Sequence, residues 1–194
     1  MNFATMATFF ALAALVANVT TVGLIVWGLA WRKEGQSPFE FLRGMTLWLA
    51  GFVALAAMLG SLYLSEIADL PPCRFCWFQR IAMYPLALIL LMAAHRKDSM
   101  VRLYAATIAT IGAGLAIYHR IVQWYPDLES GSCTSSGVSC SAALIEKFGI
   151  VTIPYMSFSA FALILTLLWA DRLNSQASKD DAPALPDNPE TGTT

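Results

Sequence analysis

The sequence predicts an all-α integral membrane protein, a four-helix bundle with one additional N-terminal transmembrane helix, five spans in total. Composition and the spacing of charges predict it. Hydrophobic residues make up 57% of the 194 residues and charged residues only 13%, and the mean hydropathy is +0.59. A soluble domain carries roughly 25% charged residues, so this chain cannot cover a compact surface with polar groups. The net charge of −1 excludes a nucleic-acid binder that depends on neutralising phosphates. The remaining environment is the lipid bilayer, where spanning takes about 20 helical residues and few ionised groups are tolerated.

The uncharged runs give the elements in order. Met1 to Trp31 contains no Asp, Glu, Lys or Arg. It lacks a basic n-region and its apolar stretch exceeds the roughly 7–15 residues of a signal-peptide h-region, so a retained helix is expected. Gly44 to Ser65 is the second run and Phe148 to Ala170 the last. Between them, Ile81 to Ala94 and Leu103 to Tyr118 are shorter, and reach spanning length when flanking residues snorkel or join the helix. The expected organisation is an extra helix and inner loop over 1–43, a bundle over 44–173 and a tail over 174–194. That tail is rich in Pro, Ser, Thr and acids, and reads as a disordered cytosolic end.

Lys/Arg bias orients the spans. With the amino terminus outside, the inner segments carry Arg32, Lys33, Arg43, Arg96, Lys97, Arg102, Arg172 and Lys179. The outer ones carry Arg74, Arg80, Arg120 and Lys147. The segments Glu66–Cys76 and Ile121–Ile153 then share the outer face, and they contain all four cysteines. A non-cytosolic compartment permits disulfides.

Cys73 and Cys76 form a Cys-x-x-Cys within Pro71-Pro72-Cys73-Arg74-Phe75-Cys76-Trp77, which places Cys76 in the first turn of a membrane helix. Unpaired N–H groups and the positive end of the dipole favour a thiolate there, with Arg74 and Arg80 adding positive charge. A good leaving thiolate makes a labile disulfide, suited to electron exchange. Arg80 reads either as a snorkelling anchor or, four residues after Cys76, as a functional charge near the membrane edge. His119 ends the fourth span on the same face, where it can fill the interface or reach the region of Arg80. Pro85 and Pro154 read as helix-shaping residues, Pro154 in a first helical turn.

The second pair, Cys133 and Cys140, lies in the small polar segment Ser130–Cys140, which should form a mobile loop. The following stretch Ser141–Phe148 can cap and form a short helix on the membrane surface, or simply begin the last span. Two structural bridges would also account for four cysteines. A four-thiolate zinc site fits poorly, because Cys133-x6-Cys140 lacks the usual spacing. Haem attachment fails, because Trp77 stands where the motif needs His. No metal is expected.

Leu70-Pro71-Pro72-Cys73-Arg74-Phe75-Cys76-Trp77-Phe78-Gln79-Arg80 resembles the signature of the disulfide bond formation protein B (DsbB) family, including its BdbC-like short-loop branch. His119-Arg120-Ile121-Val122-Gln123-Trp124-Tyr125-Pro126 is similar to the family's His-x3-Gln-x-Tyr-Pro segment. The resemblance covers about Gly44 to Ala170. It implies a thiol:quinone oxidoreductase that reoxidises a thioredoxin-fold, DsbA-like dithiol partner, with ubiquinone or menaquinone as cofactor. It also implies the bacterial inner (plasma) membrane, with both cysteine pairs outside and the C-terminus cytoplasmic. Carried over by position, Cys133 would form the mixed disulfide with the partner, and Cys140 would engage Cys73. Cys76 would then face the quinone, with Arg80 stabilising the thiolate–quinone complex and His119 near the ring. Two features depart from the pattern: the helix Met1–Trp31 precedes the four spans, and Cys133 and Cys140 lie closer together than in the best-known members.

Two other enzyme readings are weaker. A vitamin K epoxide reductase-like protein would place its Cys-x-x-Cys after the loop pair, and here it comes first. A transmembrane reductant relay would need cysteines on both faces. The non-enzymatic alternative is a membrane scaffold whose cysteines form static bridges.

Overall fold

The computed structural model describes residues 3–31, 39–42, 44–98, 100–129, 138–142, 145–147 and 149–180. Five helices among them are long and apolar enough to cross a membrane, as the sequence predicts. They are α1 (Phe3–Trp31), α2 (Thr46–Glu66), α3 (Arg74–Arg96), α4 (Val101–Trp124) and α5 (Ile153–Asp180). Helices α2, α3, α4 and α5 pack in a ring, each against the next, and α1 lies outside the ring against α5. The short runs do reach spanning length by recruiting charged flanks: α3 begins at Arg74 and α4 reaches Trp124, past His119 and Arg120.

Lipid tails are as apolar as leucine, so membrane helices associate by close packing and internal hydrogen bonds rather than by escaping water. The bundle core follows that rule. Ala50 and Ala54 of α2, Ala82 and Ala87 of α3, and Ala105, Ala109 and Ala113 of α4 meet larger side chains such as Leu86, Leu90, Phe161 and Ile164. The closest approach is at Gly112, where an added Cβ would run into the Phe161 ring.

Polar contacts lock the ends. At the end away from the cysteines, the Thr46 hydroxyl donates to Asp171 Oδ1, while Arg102 Nη1 donates to Asp171 Oδ2 at 3.1 Å and to Ser175 Oγ at 2.6 Å. One carboxylate thereby joins α2, α4 and α5. Helix α1 is pegged to α5 by Asn18, whose Nδ2 donates to Tyr155 Oη and Ser159 Oγ, each at 2.8 Å. The opposite face of α1, with Val16, Val19 and Val26, is exposed and apolar enough to meet lipid. Pro154 falls in the first turn of α5 and Pro85 inside α3.

Two expectations are corrected. The stretch after Cys140 contains no helix among its described residues. Glu146–Lys147 (β1) instead pairs antiparallel with Val151–Thr152 (β2), Glu146 opposite Thr152. Gly149 reverses the chain there at φ +70°, a left-handed conformation that glycine adopts readily, and Ile145 and Val151 are buried on the way. Second, α5 continues to Asp180, into the segment expected as a tail. Asn174 anchors that extension by donating to the Phe39 carbonyl at 3.0 Å. Cys133, the rest of the segment 130–137, the tail residues 181–194, and Arg32, Lys33 and Arg43 of the charge bias lie outside the described residues.

Gly112→Ala is expected to destabilise the bundle by about 1–3 kcal/mol, the usual cost of overpacking. Adding Phe161→Leu to that variant should recover part of the loss, as read by thermal unfolding in detergent.

Candidate functional site

The two prolines before Cys73 cannot enter a helix interior, and α3 starts immediately after them. Cys73 is its N-cap, with extended backbone at φ −69° and ψ 172°, and Cys76 is the third helical residue. That spacing is the one at which an N-cap side chain and a third-residue side chain meet in a capping box. Here the meeting groups are sulfurs: Cys73 Sγ lies 3.1 Å from Cys76 Sγ, a dithiol contact longer than the roughly 2.05 Å of a disulfide. The Cys73 backbone N–H also donates to Cys76 Sγ.

His119 approaches this pair from α4. It is buried, with Nε2 at 3.6 Å from Cys73 Sγ and 3.2 Å from the Cys140 carbonyl oxygen. Its Nδ1 is 3.1 Å from Gln79 Nε2. A carbonyl only accepts, so Nε2 carries the ring hydrogen and donates to Cys140; Nδ1 then accepts from the Gln79 amide. The Phe75 ring lies 5.5 Å from the imidazole. Cys140 is fully buried in one apolar cluster with Cys73 and Val122, against Cys76 and Phe75. The structure thus brings Cys73, Cys76, Cys140 and His119 together, while Cys133 lies outside the described residues.

The environment of Cys73 favours its neutral form. The hydrogen bond its thiol donates to Cys76 and its burial push it up from the ordinary 9.0 to about 12, against a smaller opposing pull from His119. Cys73 therefore holds its proton and Cys76 is the acceptor of the pair.

Arg80 takes the other side. At 100° per residue, Cys76 projects between Gln79 and Arg80, so Gln79 turns towards α4 and Arg80 towards α2. Arg80 is buried at 8% exposure, too deep for a purely snorkelling anchor. Its Nε donates to Ser61 Oγ at 2.8 Å and its Nη2 to the Ser61 carbonyl at 2.9 Å, and Trp77 covers the guanidinium at 5.3 Å. Nη1 has no partner among the described residues. Arg80 and His119 therefore flank Cys76 rather than touching each other. One turn beyond Arg80, the Tyr84 hydroxyl is buried without a hydrogen-bond partner. A donor on Arg80 Nη1, one turn from Cys76, fits a membrane-soluble cyclic dione, whose oxygens accept hydrogen bonds.

Cys73, Cys76 and His119 also place three potential metal donors within 4.8 Å of one another. A structural zinc site takes four ligands, and His119 Nε2 is already engaged by the Cys140 carbonyl. Dithiol chemistry suits the arrangement better than ion binding.

Ser61 and Gln79 were not singled out in the sequence. Gln79 had one available signal, its place inside the Cys-x-x-Cys-x3-Arg motif. Ser61 had none, because its role depends on how α2 faces α3.

The family profile for disulfide bond formation protein DsbB matches residues 43–170, the four-helix ring without α1. The probable disulfide formation protein C 2 of Bacillus anthracis is 42% identical over 138 residues, covering 71% of this chain and 98% of that protein. Disulfide bond formation protein C of Bacillus subtilis is 45% identical over 122 residues, covering 63% of this chain and 88% of that protein. A probable disulfide formation protein of Deinococcus radiodurans is 43% identical over 134 residues, or 65% and 88% of the two chains. No solved structure matches the chain significantly. The matched region spans every cysteine, Arg80 and His119, and the fold places the helix start bearing Cys73 and Cys76 against the segment bearing Cys140. The chain belongs to the DsbB family of disulfide bond formation proteins.

Proposed function

We propose that this protein is a multi-pass membrane thiol:quinone oxidoreductase that reoxidises a thioredoxin-fold, DsbA-like dithiol partner, so supporting disulfide formation in exported proteins. The observation that supports it most is the burial of Cys140 beside the Cys73–Cys76 pair, with the charge of Arg80 one turn further along α3. A cysteine of the second pair packed against the first offers a path for thiol–disulfide exchange, in which each step is attack by a thiolate on a disulfide sulfur.

Two electrons pass from the partner to Cys73 and Cys76 in four exchanges. A partner thiolate attacks Cys133 of an oxidised Cys133–Cys140 pair, forming a mixed disulfide and releasing Cys140. Cys140 attacks Cys73 of an oxidised Cys73–Cys76 pair, forming the Cys73–Cys140 bond and releasing Cys76 as a thiolate. The partner's second thiolate displaces Cys133 and leaves the partner oxidised. Cys133 then attacks Cys140, restoring the loop disulfide and leaving Cys73 and Cys76 reduced by two electrons.

A bilayer quinone, ubiquinone or menaquinone, supplies a two-electron, two-proton acceptor that returns Cys73 and Cys76 to the disulfide. Arg80 would hold it beside Cys76, with His119 on the other side of the cysteine pair. Arg80 contributes a fixed positive charge and the Nη1 donor. His119 keeps Cys73 and Cys140 in register and can exchange a proton as sulfur changes charge. The reading places both pairs on the outer face of the bacterial plasma membrane, with the C-terminus in the cytoplasm.

Given a reduced thioredoxin-fold partner and a quinone analogue, the purified protein should reduce the quinone, and Cys76→Ser should abolish it. Undiminished turnover in that variant would overturn the mechanism. Arg80→Gln should raise the KM for the quinone analogue roughly ten- to a hundredfold, the equivalent of losing one charged hydrogen bond of about 1.5–3 kcal/mol. In the reduced protein, iodoacetamide at pH 8 should modify Cys76 before Cys73. A folded value raised to about 12 keeps Cys73 protonated through the mildly alkaline range. The stability this proton retention contributes is complete below the ordinary value of 9.0 and is lost as pH climbs towards the folded value. Peptide mass spectrometry across a pH series reads the order of modification.

A further inference from the structure

Cys140 is fixed by its backbone. Its N–H donates to Glu129 Oε1 at 2.6 Å, while its carbonyl oxygen accepts from His119 Nε2 at 3.2 Å. The residues on either side grip the same carboxylate. Ser139 Oγ donates to Glu129 at 3.1 and 2.8 Å, and Ser141 Oγ donates to Oε2 at 2.6 Å. Three consecutive residues thus wrap one side chain. Glu129 itself stands on a rigid base: the 3-10 turn Pro126–Leu128 follows α4 directly, and the Glu129 N–H closes it by donating to the Pro126 carbonyl at 2.9 Å. The donors from Ser141, Ser139 and the Cys140 backbone hold the Glu129 carboxyl below its ordinary 4.5, so it is a carboxylate at neutral pH.

We propose that Glu129 is a catch that docks Cys140 beside Cys73, a positioning residue that sets the Cys140 sulfur for its exchange with the Cys-x-x-Cys pair. The inference rests on the relay proposed above. Exchange needs the attacking sulfur held close to the sulfur it attacks, and a tether alone leaves that to chance. Preorganised reactants avoid this loss, and a displacement of about 1 Å can lower a rate roughly a hundredfold. Glu129 supplies the order from one side and His119 from the other. Cys133 lies in sequence between Glu129 and Ser139, so the catch joins the two flanks of the segment that carries it.

The assignment divides the reaction. Transfer from the loop pair to Cys73–Cys76 needs the catch, whereas reoxidation of Cys73–Cys76 does not. The test uses the full-length protein with Glu129→Ala and Glu129→Gln. A bulky maleimide should label Cys140 of the reduced protein roughly ten- to a hundredfold faster in Glu129→Ala. Glu129→Gln should be intermediate, because its amide oxygen still accepts. Turnover driven by the reduced partner should fall by a similar factor in kcat with its KM unchanged. Quinone reduction driven by a small dithiol that reduces Cys73–Cys76 directly should persist. Wild-type labelling and partner-driven turnover in both variants would overturn the catch. So would an equal loss with both electron donors, which marks general damage to the fold. Ser139→Ala combined with Ser141→Ala tests the same grip without removing the charge, and should also expose Cys140. Faster labelling in Glu129→Ala would uphold the catch even if the wild-type protein oxidised no partner, and that second result would overturn the relay instead.

Discussion

The contact on which the site depends is made by His119. Its imidazole at once touches Cys73, receives Gln79 and holds the Cys140 carbonyl. These three belong to separate pieces of chain, the start of α3, its second turn and the segment after α4. A buried imidazole with an unmet nitrogen is costly, about 1–3 kcal/mol for each lost partner. The two ring nitrogens therefore tolerate little rearrangement of α3 against α4 or of Cys140 against both. Position and chemistry are coupled through one ring: whatever moves Cys140 also changes the surroundings of Cys73.

The bundle supplies the rigidity that this contact needs. Small residues bring the helices close enough for α3 and α4 to share one histidine, and Gly112 lets α4 settle on Phe161. At the other end, Asp171 collects Thr46, Arg102 and Ser175, so the helices cannot splay where no sulfur holds them. Helix α1 stands apart from this scheme. It lies outside the region shared with the family, and Asn18 ties it to Tyr155 and Ser159 at the first two turns of α5.

The spans were legible because ionised groups are scarce in lipid, and a run such as Gly44–Ser65 has few other uses. The Cys-x-x-Cys was legible because its geometry is local: the prolines set the helix start, and the spacing sets which turn Cys76 occupies. Arg80 was readable as important, but not its partner, since Ser61 is nineteen residues away on another helix. Glu129 was hidden for the same reason, as an acid in a polar loop looks solvated until the loop is closed around it. The misread helix after Cys140 shows the limit of local pattern. Ser141 and the apolar residues after it satisfy capping and amphipathicity, yet Gly149 turns the chain back and Ile145 and Val151 are buried as parts of a hairpin.

The structure also bears on the short spacing of the second pair. With Cys140 already against Cys73, the journey left for this loop belongs to Cys133 alone. Cys133 is four residues from Glu129 and seven from Cys140, so extended chain keeps it within roughly 14 Å of the first and 25 Å of the second. Closing so short a ring loses little chain entropy, and lengthening it would raise the cost only by about 0.6 kcal/mol per doubling. Economy of entropy therefore does not explain the spacing. In the proposed relay docking does: a short segment anchored at Cys140 would present Cys133 to the partner without releasing the residue that must next meet Cys73. In the relay proposed here, a longer loop would need some other means of returning Cys140 to His119 after each encounter.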